Sequence, residues 1–129
     1  MNAMEVRKNE VVLIYNSKDI QDREALGYAE AMQYHKMRTI DTQKEEITPL
    51  QLARIARKLK VVPARLIDRK SDVFQDEYAG RDLTREGMLT AISKDPRLLK
   101  TPILVYPEGA DFVNTGYQFV NKDMDDSQV

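Results

Sequence analysis

Asp95-Pro96-Arg97-Leu98-Leu99-Lys100-Thr101-Pro102-Ile103-Leu104-Val105 is the stretch on which the reading of the fold turns. A helix arriving from Thr84, a good N-cap, must stop at Asp95, because proline disfavours a helical conformation in the residue before it. Its inward residues are Met88, Leu89, Ala91 and Ile92. From Pro102 the apolar run Ile103-Leu104-Val105-Tyr106 reads as a strand. Pro107-Glu108-Gly109-Ala110 supplies turn residues, and Asp111-Phe112-Val113 reads as the return strand of a hairpin.

Toward the N-terminus, Val11-Val12-Leu13-Ile14-Tyr15 is a short continuous apolar run ending at Asn16-Ser17, the pattern of a strand buried on both faces. Asp22 to Tyr34 reads as a helix with Ala25, Tyr28, Ala29 and Met32 on one stripe, and Asp19 and Asp22 suit its N-terminal end. Lys36 to Thr42 alternates and reads as a second strand. Thr48-Pro49 pairs an N-cap with an N1 proline, and Leu52, Ile55, Ala56 and Leu59 form the buried face of the helix that follows. Pro63 opens a short helix through Ile67, and residues 70–82 have no period and read as an irregular connection. The order β-α-β-α-α-α-β-β describes an α/β chain with one small sheet and helices against it.

The 129 residues suit a single domain. The expected limits are a flexible segment 1–9, a domain over 10–120 and a flexible acidic tail over 121–129. Twenty Lys and Arg against twenty-one Asp and Glu argue against bulk nucleic-acid binding. Apolar runs are too short to span a membrane, and MNAMEVRKNE lacks the apolar core of a signal peptide, so a cytoplasmic protein is expected. The most restrictive count is cysteine, which is zero. Disulfides, thiolate catalysis, iron–sulfur clusters and zinc–thiolate sites are all excluded for this chain.

Residues 95–105 resemble the signature of the arsenate reductase and Spx family, in which a proline-ended helix leads through apolar and basic residues to Pro-Ile and a strand. Leu13-Ile14-Tyr15-Asn16 resembles the family's first strand, and Ile47-Thr48-Pro49 to Ile67-Asp68-Arg69-Lys70 resembles the helical insertion that separates it from plain glutaredoxins. The resemblance covers roughly residues 10–120. It implies a thioredoxin-like fold with a small mixed four-stranded sheet, and a cis Thr101–Pro102 peptide bond.

The family's nucleophile is a cysteine at the start of the first helix, where the helix N-terminus lowers the thiol pKa. Here the loop reads Asn16-Ser17-Lys18-Asp19-Ile20-Gln21-Asp22-Arg23-Glu24 and is one residue shorter than the family pattern. Matching from Arg23-Glu24 puts Asp19 in the cysteine position, and matching from Tyr15 puts Ile20 there. Neither does thiol chemistry. Thr101 stands where the reductases carry arginine before the cis proline, and Asp68, beside Arg69, stands where they carry one in the middle helix. The resemblance therefore implies a degenerate active-site loop, no catalytic residue and no cofactor. The expected function is a non-catalytic binding or regulatory protein. The alternatives are a glutathione- or glutaredoxin-dependent reductase activity, and binding of a small anion or thiol ligand at the loop.

A helix N-terminus attracts anions, and Lys18 and Arg23 add charge, but Asp19 and Asp22 are placed to cap that end and repel an anion. Ser17 has no base in the loop and reads as a turn residue. His35 follows the first helix, and a lone histidine there reads as paired with the helix end rather than as an acid–base group. Asp72, Asp76, Glu77 and Asp82 lack the spacing and glycine of a calcium loop, so no metal site is expected. The six tyrosines are too dispersed for a nucleic-acid stacking platform. Arg54, Arg57, Lys58, Lys60, Arg65, Arg69 and Lys70 crowd one stretch opposed only by Asp68. That stretch is either a solvated face or a docking patch for an acidic protein surface or for nucleic acid. Spx-type relatives are adaptors on RNA polymerase, which implies a protein partner by resemblance.

Overall fold

A computed structural model describes residues 5–32, 35–116, 118, 119 and 122. Four strands, β1 (Glu10–Tyr15), β2 (Lys36–Asp41), β3 (Ile103–Tyr106) and β4 (Gly109–Phe112), alternate with α1 (Ile20–Glu30), α2 (Pro49–Leu59) and α3 (Arg85–Lys94) in the expected order. The chain divides into two compact units, Met1–Glu45 with Thr101–Val129, and Glu46–Lys100. The second unit is the helical stretch between β2 and β3.

The first unit holds one mixed sheet of order β2-β1-β3-β4. β1 runs parallel to β2, with Tyr15 opposite Asp41, and antiparallel to β3, with Leu13 opposite Leu104. This is the thioredoxin-like arrangement. β1 is buried on both faces as its unbroken apolar run requires, and Val11, Val12, Leu13 and Ile14 are fully buried. Val11, Leu13 and Leu104 pack with Ala25 and Ala29 of α1 and with Phe119.

Several details differ from the sequence expectation for physical reasons. α1 begins at Ile20 rather than Asp22, because Asp19 caps it while the Asp22 side chain turns inward and is buried. Tyr28 leaves the buried stripe and is exposed, with its ring lying over Gly116, where a Cβ would stand 2.5 Å from the ring. β4 begins at Gly109 because Tyr106 pairs with Gly109, leaving Pro107-Glu108 as a two-residue loop, the favoured hairpin length. The segment 5–9 is tied down where it is described, with Lys36 N–H donating to the Asn9 carbonyl and the Arg38 guanidinium to the Glu5 carbonyl. Residues 1–4 of the expected flexible N-terminus, Tyr34, and the expected tail apart from Lys122 lie outside the described residues.

In the second unit, Thr48 and Gln51 form a reciprocal capping box around Pro49 at the first position of α2. Leu52, Ile55 and Ala56 are buried as expected, whereas Leu59 is only half-buried. On α3 the buried residues are Leu89, Ile92 and Ser93, and Met88 and Ala91 are half-buried. Pro63–Leu66 closes as a 3-10 turn. Within residues 70–82, expected to be irregular, Phe74–Tyr78 forms a turn of π-helix. Local bonds hold this turn: Ser71 Oγ accepts from Phe74 N–H, and Ala79 N–H donates to the Phe74 carbonyl. α3 stops at Lys94, before Asp95-Pro96, and Asp95 grips the Arg97 guanidinium through two 2.8 Å hydrogen bonds.

Removing the α2 cap with Thr48→Ala is expected to cost about 1 kcal/mol. Opening the fully buried Leu52 site with Leu52→Ala is expected to cost about 2–5 kcal/mol. Urea unfolding of the two variants against the parent measures both.

Candidate functional site

The loop between β1 and α1 sits at the carboxyl end of β1, where parallel α/β arrangements place their ligands. The structure puts Asp19 at the N-cap of α1 and Ile20 at its first helical position, 65% exposed. Asp19 Oδ1 accepts from Gln21 N–H at 2.8 Å and Asp22 N–H at 3.1 Å. Asn16 Oδ1 accepts from Lys18 N–H, and the Asn16 carbonyl from Asp19 N–H. Arg23 N–H donates to the Asp19 carbonyl, and the Arg23 guanidinium donates to the Ser17 carbonyl at 2.9 Å.

Two buried carboxylates complete the closure. Asp22 Oδ2 accepts from Asn16 N–H at 2.8 Å and from the Thr101 hydroxyl at 2.6 Å. Asp41, at the end of β2, accepts from Ser17 N–H at 3.2 Å and Gln43 N–H at 3.0 Å through Oδ1. Of the backbone N–H groups from 16 to 23, seven of eight therefore donate within the loop or to these acids, Ile20 being the exception. Apart from Ile20 N–H, the amides that this helix N-terminus would offer to an anion are occupied by the chain's own carboxylates and carbonyls.

The electrostatics follow from the burial. Burial pushes the Asp22 carboxyl above its ordinary value, with Asp19 adding to the rise, while the hydrogen bonds from Thr101 and Asn16 pull it down in part. Burial also opposes ionisation of Asp41, but the bonds from Ser17 and Gln43 and the nearby Lys44 charge prevail and hold its carboxyl below the ordinary value. Burial raises the Tyr15 phenol, and the negative charges of Asp41 and Glu30 raise it further. Asp41 Oδ2 and Thr42 Oγ1 are buried with no hydrogen-bond partner among the described residues.

The site thus unites Asn16, Ser17, Lys18, Asp19, Ile20 and Arg23 with Thr101 and with Pro102, whose peptide bond to Thr101 is cis. Ser17 is a turn residue whose N–H donates to Asp41, and its side chain bonds the same carboxylate. Asp41 was not singled out in the sequence, where it is one more acid at a strand end. Its role depends on the parallel pairing that sets it opposite Tyr15. Arg54, Arg57, Lys58, Arg65 and Arg69 lie in the other unit, where Arg69 stacks over the Phe74 ring at 5.3 Å. Asp68, the position matched to a reductase arginine, accepts from Lys70 N–H. His35 is buried just before β2. Among the described residues no group of three or more His, Cys, Asp or Glu is placed to hold a metal, and no helix is long and apolar enough to cross a membrane.

The fold is that of a class of thioredoxin-like proteins whose solved members include arsenate reductases. An arsenate reductase from Vibrio cholerae superimposes with a TM-score of 0.75 at 23% identity, over 87% of this chain and 96% of that one. A Yersinia pestis protein assigned as an arsenate reductase gives 0.76 at 21%, over 86% and 98%. An ArsC-family related protein from Bacteroides fragilis gives 0.68 at 11%, over 86% and 95%. At these identities the likeness is one of fold. No protein-family model and no curated protein sequence matches the chain.

Removing one of the two donors that lower the Asp22 pKa should raise it further. In Thr101→Val the Asp22 carboxyl should therefore titrate at a higher pH than in the parent, measured by carboxyl carbon NMR. The two buried acids should also give opposite pH slopes in stability. Asp22 is raised when folded, so its contribution is most favourable on the acid side and weakens as pH rises through the folded value. Asp41 is lowered when folded, so its contribution is full above its unfolded value of about 3.8 and is lost as pH falls through the folded value. In urea unfolding across acid to neutral pH, the stability lost in Asp41→Asn should grow toward neutrality, while that lost in Asp22→Asn should shrink.

Proposed function

We propose that this chain is a cysteine-free member of the arsenate reductase and Spx group, working in the cytoplasm as a non-catalytic binding protein. One observation carries the reading. The loop that would present a thiolate at the N-terminus of α1 contains no sulfur, and seven of its eight amides are already satisfied from within the chain. A thiolate mechanism needs a nucleophile whose charge the helix end stabilises; the nucleophile is missing, and most of the amides at the helix end are committed within the chain.

The surrounding chemistry supports the same reading. Buried Asp22 and Asp41 make the loop an unfavourable neighbour for arsenate, phosphate or a thiolate ligand such as that of glutathione. Thr101, which replaces a cation of the reductases, is committed to Asp22. The framework is retained around this closed loop, so the function is assigned to the surface, with a protein as partner.

Arsenate reduction in the presence of glutathione and glutaredoxin tests the proposal. The expected result is turnover indistinguishable from the protein-free background, together with flat calorimetric titrations of arsenate, phosphate and glutathione. Turnover above background that Asp22→Asn or Ser17→Ala abolishes would restore the enzymatic reading.

A further inference from the structure

Residues 48–67 contain five basic side chains and no acid. The whole chain has net charge −1, so the remaining residues carry −6, and the positive charge is concentrated on one segment. On α2, Leu50, Arg54 and Arg57 fall within about 60° of arc, a stripe about 10 Å long on the side opposite buried Leu52. All three are exposed, Leu50 by 63%. Beyond the left-handed cap at Lys60, Val62, 55% exposed, precedes the 3-10 turn Pro63–Leu66, and Arg65, also exposed, lies within that turn. The side chains of Arg54, Arg57 and Arg65 make no hydrogen bond or ion pair among the described residues. In contrast, Arg97 is locked to Asp95 and Lys122 to Glu108.

Resting on the reading of this chain as a binding protein, we infer that the Leu50–Arg54–Arg57 face of α2, with exposed Val62 and Arg65 following it in sequence, is the docking surface for an acidic amphipathic segment of a protein partner. Two kinds of group on one face decide the occupant. The unpaired arginines call for carboxylates, to which their planar donors bind in fork geometry. An isolated exposed leucine is unremarkable by itself. Here, however, Leu50 lies one helical turn from Arg54 on the same stripe, so a ligand reaching the arginines meets an apolar contact as well. A nucleic-acid backbone would use the charges and leave Leu50 and Val62 in water. An acidic helix with an apolar edge satisfies both. The loop at the start of α1 has no part in this recognition, which explains how a closed loop is compatible with a working protein.

Fluorescence anisotropy of the full chain with a labelled amphipathic peptide, glutamate on one face and leucine on the other, provides the test. Saturable binding that weakens with added salt is expected. The double variant Arg54→Glu/Arg57→Glu should weaken it at least about tenfold, because rim charges reversed in sign repel where they attracted. Its unfolding midpoint should match the parent's, since neither side chain has a partner to lose. Leu50→Ser should weaken binding with the salt slope unchanged. The inference is overturned by absence of binding, by binding indifferent to the charge reversal, by equal affinity for a peptide with serine in place of leucine, or by tighter binding of duplex DNA at the same salt. These outcomes are separate from those of the reductase assay: background turnover with no peptide binding removes this surface alone, whereas turnover removes the binding-protein reading itself.

Discussion

The carboxylate of Asp22 is the constraint on which the candidate site depends. It is almost completely buried, and a buried carboxylate is tolerable only with its hydrogen bonds made. Asp22 Oδ2 meets that condition by drawing together the Asn16 amide at the end of β1 and the Thr101 hydroxyl ahead of β3, 79 residues away in sequence. One oxygen thereby fixes the first turn of α1, the loop before it and the approach to the cis proline. Asp41 does the same for the next amide, Ser17, from the end of β2.

This arrangement inverts the usual electrostatics of a helix N-terminus. Free amides and the helix dipole ordinarily make such an end attractive to anions. In this chain the negative charge is built in: Asp19 at the cap, Asp22 in the first turn and Asp41 across the loop. The site is stabilised by the interactions that would otherwise recognise a substrate. A fold shared with solved arsenate reductases is thus present without the cysteine that thiolate catalysis needs. The positive charge absent from the loop is found on α2, in the other unit.

The elements were legible in the sequence because their causes are local. The unbroken run Val11–Ile14 announces a strand buried on both faces, Thr48-Pro49 a capped helix, and Asp95-Pro96 a helix end. The departures have other causes. Tyr28 sits on the apolar stripe by spacing, yet it is exposed and covers Gly116, a residue 88 positions away that no periodicity could connect to it. The turn at Phe74–Tyr78 is held by hydrogen bonds from Phe74 N–H to Ser71 Oγ and from Ala79 N–H to the Phe74 carbonyl rather than by an apolar period, so a search for periods passes over it.

By itself the sequence determined the absence of thiol chemistry, the thioredoxin-like order of elements and the concentration of basic residues between 48 and 70. These depend on residue identity and spacing alone. The tertiary structure decided what the carboxylates do. Asp19, Asp22 and Asp41 look alike in sequence, but one is an exposed cap, one a buried bridge to Thr101 and one the acceptor for the Ser17 amide. The cap is local, but the other two roles are set by which donors the parallel β1–β2 pairing and the return of the chain at Thr101 bring within about 3 Å, the reach of a hydrogen bond.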